Sequence, residues 1–95
     1  MNTNVKLSFS VHLILEVGNT TFLQNTELPI SPFPGLELTL WVGNGFETFK
    51  IDRVLLSEDV QMGGFGTRAI LAQPPVEKHA HLIKGLTKDG GWTKR

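Results

Sequence analysis

Val5, Leu7, Phe9, Val11, Leu13, Leu15 and Val17 fill every odd position from 5 to 17, while the even positions carry Lys6, Ser8, Ser10, His12, Ile14 and Glu16. A period of two predicts a β-strand with one dry face and one mostly wet face. A strand this long in a small domain is expected to bend or coil. Gly18-Asn19 then suits a two-residue hairpin turn, with glycine supplying the positive φ. Folding about it sets Leu15 opposite Phe22, Phe9 opposite Leu28 and Leu7 opposite Ile30, so the apolar faces coincide. Gln24 and Thr26 interrupt the match, and pairing is expected to loosen there.

"LPISPFPG" follows. Its prolines cannot donate to a ladder, so it reads as a crossover, and Pro34-Gly35 suits the centre of a type II turn. Pro29-x-x-Pro32 has the spacing of a polyproline ligand, but a rigid connection accounts for it better. "LELTLWVGNGFETFKI" predicts a second hairpin turning at Asn44-Gly45. That register sets Leu40 opposite Phe49 and Leu38 opposite Ile51. It leaves Glu37, Thr39, Trp41, Thr48 and Lys50 on the other face, with Trp41 opposite Thr48. After Asp52-Arg53 the apolar parity shifts, from Phe49 and Ile51 to Val54 and Leu56, which predicts a β-bulge at 52–53. "RAILA" is a further strand. Between the two strands lies Gly63-Gly64-Phe65-Gly66. A phosphate-binding loop would lead into a helix; this one leads into a strand and reads as a hairpin tip with Met62 and Phe65 on it. Residues 75–84 read as a short helix, with Pro75 in its first turn and Gly85 as its stop. The polar, glycine-rich remainder is expected to be mobile.

Ninety-five residues suit a single small core. The formal net charge is zero, which gives little long-range attraction to nucleic acid or to an anionic membrane. The charge is uneven, however. Residues 1–76 hold four basic and seven acidic side chains, a net of −3; residues 77–95 hold five and two, a net of +3. With no cysteine, thiolate chemistry and cysteine-based zinc sites are excluded, and the composition leans towards a reducing, cytoplasmic compartment. No signal peptide and no membrane span are expected.

Few residues suggest chemistry. His79-Ala80-His81 has chelate spacing on a strand, but on a helix the two rings diverge, so no metal and no cofactor are expected. No serine sits in a strained elbow. Asp52 and Arg53 at the bulge suit an ordinary cross-strand charge pair better than a small polar site. Trp41 stands out, because a large aromatic on a wet face calls for a cover. The C-terminal segment, a second subunit or an external partner would each serve. Base stacking on Trp41, with the basic tail as an electrostatic arm, is the nucleic-acid version, and it would bind weakly.

These readings predict an all-β domain over residues 1–75, a small antiparallel barrel or sandwich of about five to six strands. Residues 76–95 are expected to add a short helix and a flexible basic tail. Over residues 4–74 the succession of bent strand, hairpin, Pro-Gly turn, Asn-Gly hairpin and final strand resembles the small SH3-like barrels. Fold likeness of that kind carries no function. The expected role is a non-catalytic interaction domain, self-associating or binding another protein, with Trp41, Thr39, Thr48, Lys50, Met62 and Phe65 as the candidate surface. A nucleic-acid module is the alternative. A small-molecule-binding or enzymatic barrel, using the glycine loop and the Asp52-Arg53 region, is the third.

Overall fold

The first strand, β1 (Phe9–Val17), buries Val11, Leu13, Leu15 and Val17 and exposes Ser10, His12 and Glu16, as its alternation predicts. The computed structural model describes residues 8–61, 63–89 and 91–95; Val5, Leu7 and its pairing with Ile30 lie outside the described residues. β1 turns through Gly18-Asn19 into β2 (Thr20–Leu28) with the expected partners, Leu15 with Phe22 and Phe9 with Leu28. Gly18 has φ 64° and Asn19, like every other described non-glycine residue, has negative φ, so the glycine-first type of tight turn joins the strands. The ladder does not loosen at Gln24 and Thr26 but runs unbroken past both. Backbone groups alone make the ladder, and the Gln24 side chain finds its own partner, donating from Nε2 to the Gly91 carbonyl at 3.4 Å.

Residues 29–36 cross to the next strand. Leu36 N donates to Phe33 O at 3.1 Å around Pro34 and Gly35 (φ 96°), the predicted type II turn. A meander follows: β3 (Glu37–Trp41), β4 (Phe46–Glu58) and β5 (Phe65–Leu71). β4 serves two neighbours, its first half pairing with β3 and its second with β5. Between the halves the register shifts at Asp52, where the bulge was expected. β5 then lies beside β1 and parallel to it, where antiparallel order was expected throughout. After a single 3₁₀ turn, Val76–Lys78, come helix α1 (His79–Asp89) and a two-residue strand, β6 (Thr93–Lys94), on the edge of β2. The result is the predicted small all-β architecture, one curled half-barrel sheet ordered β3-β4-β5-β1-β2-β6 with one short C-terminal helix.

These pairings make β1, β3 and β5 run one way and β2 and β4 the other. The two turns near residues 18 and 43 therefore share one end of the sheet with α1. The proline-rich crossover and the β4–β5 hairpin tip share the other. At the helix end the core closes: Leu82 and Leu86 of α1 are buried with Val17, Phe22, Val42 and Trp92. The helix comes so close that a Cβ on Gly43 would stand 1.9 Å from the Gly85 carbonyl oxygen, and one on Gly85 would stand 2.4 Å from the Val42 carbonyl oxygen.

This contact accounts for three departures from expectation. The second hairpin turns about Gly43-Asn44 rather than Asn44-Gly45, with Val42 N bonded to Gly45 O at 2.9 Å. Gly43 takes the positive φ (93°), and Asn44 instead donates from Nδ2 to the His81 carbonyl at 3.2 Å. The helix does not stop at Gly85 but continues to Asp89, because the glycine is the contact point and not the cap. And within the stretch expected to be mobile, Leu86 and Trp92 are buried and β6 is paired with β2.

At the opposite end the core-facing side runs out of cover. Phe9 is 42% exposed and Phe65 71%, and Leu56 is open too, although parity assigned Phe9 and Leu56 to the core side. Leu13→Ala is expected to lower stability by about 2–5 kcal/mol and Phe9→Ala by a small fraction of that, measured by urea denaturation. Gly85→Ala is the sharper case. In an ordinary helix interior it gains about 1 kcal/mol; here overlap with the Val42 carbonyl reverses the sign, and the urea midpoint should fall.

Candidate functional site

The outward face of the β3–β4 hairpin follows from its turn. Shifting the turn centre by one residue slips the register by two, and an even slip leaves every side chain on its face. Trp41 thus stays on the polar face, but opposite Phe46, while Thr39 replaces it opposite Thr48 and Glu37 lies opposite Lys50. The threonine hydroxyls hydrogen-bond across the pair at 2.8 Å. The Trp41 and Phe46 rings meet edge to face, with centroids 5.2 Å apart and planes at 70°, the favoured geometry for an aromatic pair. Each remains open to solvent, Trp41 at 46% and Phe46 at 68%.

The backbone of β3 is as informative as its side chains. Val42 N bonds Gly45 O, and Ile51 N bonds Leu36 O, so the even-numbered residues of this stretch turn their peptide groups towards β4. In an antiparallel ladder the alternate residues point the other way. Glu37, Thr39 and Trp41 therefore present N–H and C=O groups along the outer edge of the sheet, where no further strand lies among the described residues. One of these groups is taken, because the Trp92 indole Nε1 donates to the Trp41 carbonyl at 3.3 Å. Trp92 is only 9% exposed. Its burial outweighs a hydrogen bond of about 1 kcal/mol.

The C-terminal segment thus reaches Trp41 but covers its carbonyl, not its ring, so of the three covers considered for the ring this one does not supply it. Thr39, Trp41, Thr48 and Lys50 do share one surface. Phe65 does not belong to it: it lies at the far end of β4, on the core-facing side near Leu56 and Phe9. A 13-residue β4 separates the two places by up to about 40 Å. Met62 lies outside the described residues. Phe46 and Trp92 were missed. The two glycines of Val42-Gly43-Asn44-Gly45 left two turn centres open, and only one brings Phe46 beside Trp41. Trp92 and Leu86 are the two large apolar residues in an otherwise polar, glycine-rich stretch, too few to show a pattern.

The other candidate groups separate. His79 Nε2 donates to the Pro74 carbonyl at 3.0 Å, whereas His81 sits by Asn44. Asp52 and Arg53 are both exposed, and neither forms an ion pair among the described residues, so the cross-strand charge pair expected of them is not found there. The glycine loop is a hairpin tip between β4 and β5, with Gly63 at φ 74° and Gly64 at φ 108° and Asp59 N bonded to Gly64 O at 2.8 Å. Among the described residues no helix is long and apolar enough to cross a membrane.

No family model, curated protein or solved structure matches the chain, so the SH3-like likeness rests on strand succession alone.

The exposed rings should matter little to folding. Trp41→Ala and Phe46→Ala are expected to change stability by no more than about 1 kcal/mol, and Trp92→Ala to lower it by about 3–5 kcal/mol, read by thermal denaturation.

Proposed function

We propose that the chain is a non-catalytic interaction domain that self-associates through the β3 edge, two copies pairing antiparallel about a twofold axis at Thr39. The observation that carries this reading is the outward row of backbone donors and acceptors on Glu37, Thr39 and Trp41, flanked on one face by the exposed Trp41–Phe46 pair. Bare edges recruit strands, and aromatic rings are the side chains that most often anchor an interface. A twofold arrangement brings each Glu37 level with Trp41 of the other copy and meets the self-complementarity that such an interface requires. The Thr39 pair supplies two backbone hydrogen bonds and each Trp41 N–H one more, about four in all. The zero net charge puts no long-range repulsion between copies.

The nucleic-acid alternative has weaker support. Lys78 is paired with Glu47 at 3.2 Å, and Thr93–Lys94 is tied along β2, so the basic segment is not a free arm. A cytoplasmic setting belongs to the same proposal and rests on the cysteine-free composition.

Sedimentation across a concentration series should show the mass rising towards that of a dimer. Thr39→Pro removes an outward N–H and leaves the β3–β4 ladder intact, and Trp41→Lys places a charge on the anchor. Both are expected to stay folded by circular dichroism and to remain monomeric. A wild type that is monomeric at millimolar concentration overturns the proposal. As an independent readout, Trp41 fluorescence in a Trp92→Phe background should be open to iodide quenching when dilute and protected when concentrated.

A further inference from the structure

The face of the sheet turned away from the core holds a cleft of about 430 Å³, within the size range of small-molecule sites. Its floor is Ile14 of β1 and Leu23 of β2, opposite each other and half-buried. Ile14 is the one apolar exception on the wet side of β1. The arm of the β4–β5 hairpin from Ser57 to Gln61 forms a wall.

Across this floor runs a row of polar groups contributed by neighbouring strands. Asn25, His12 and Arg68 are successive partners on β2, β1 and β5. The His12 Nδ1 and Asn25 Oδ1 atoms are hydrogen-bonded. An amide oxygen only accepts, so Nδ1 carries the proton and the bond fixes the orientation of the amide. The two N–H donors of Asn25 Nδ2 then have no partner among the described residues. Arg95 joins from just beyond β6, its backbone N bonded to Thr21 O at 2.8 Å. Neither the Arg68 nor the Arg95 guanidinium has an acidic partner among the described residues. Glu58 and Asp59 lie on the hairpin rim of the same cleft, and the Asp59 Oδ1 atom accepts from Gln61 N at 3.1 Å. The rim carboxylates balance the two arginines in number, so selection rests on local pairing and not on a long-range field.

We propose that this cleft binds a small amphipathic oxyanion: a carboxylate or phosphomonoester head on Arg68, Arg95 and the Asn25 amide, with an apolar body about the size of a phenyl ring on Ile14 and Leu23. The site shares no residue with the β3 edge, so its failure and the failure of the association reading are separate events.

The test is a ¹⁵N–¹H NMR titration of the full chain with benzoate, phenyl phosphate, benzyl alcohol and inorganic phosphate. Benzoate or phenyl phosphate should give saturable shifts at His12, Asn25, Arg68 and Arg95, and whichever binds more tightly identifies the head. Benzyl alcohol, with the same body and no charge, should not saturate. Arg68→Gln, Arg95→Gln and the near-isosteric Asn25→Asp should each weaken binding by about tenfold or more. The proposal is overturned by an absence of saturable shifts at tens of millimolar, by equal binding in all three variants, or by inorganic phosphate binding as tightly as phenyl phosphate, which would make the site one for an adventitious ion only.

Discussion

Gly43 and Gly85 meet backbone to backbone, and the arrangement of the C-terminal half depends on that approach. Where a side chain at either place would overlap a carbonyl group, α1 can settle onto the β3–β4 turn and drive Leu82 and Leu86 into the core. The same approach sets the turn centre, which sets the register, which puts Phe46 beside Trp41. It also leads the chain beyond the helix so that Trp92 fills the end of the core and reaches the Trp41 carbonyl. A helix that costs about 1 kcal/mol for its internal glycine thereby gains the burial of three large side chains.

Local signals were legible in the sequence, and contacts between distant segments were not. Gly18-Asn19, Pro34-Gly35, the bulge at Asp52 and the glycine hairpin each depend on the conformational limits of a few adjacent residues, and each lies where the sequence placed it. Asn44-Gly45 failed because Asn44 serves the helix carbonyl of His81, a partner no short window contains. Alternation gave the side of the sheet that Phe9 and Leu56 face but not whether anything lies over them. Of the candidate surface, Trp41, Thr39, Thr48 and Lys50 were legible by parity. The cleft was not, since His12, Asn25 and Arg68 read singly as wet-face residues, and nothing local says that Arg95 returns beside Thr21.

The two edges of the sheet are treated differently. Along β2, β6 occupies Phe22 and Leu23 and the backbone of Arg95 adds Thr21. Along β3, among the described residues, only the Trp41 carbonyl is occupied. Proteins usually blunt such edges with charge, proline or cover. Here the bare stretch is short and ends against a buried tryptophan, which limits how far a paired strand can extend.

The parallel pairing of β1 with β5 bears on the order of assembly. The β1–β2 hairpin and the β3–β4–β5 meander each close through near neighbours in the chain, whereas Leu13 and Ala69 become partners only when the two units dock. Contacts of large sequence separation are the slow ones, and the entropic penalty of the intervening loop grows only with the logarithm of its length. Docking of the two ribbons therefore forms contacts of large sequence separation, the kind that slows folding. α1 and Trp92 pack against a surface to which both ribbons contribute, Val17 and Phe22 from one and Val42 from the other, and so hold the docked pair together.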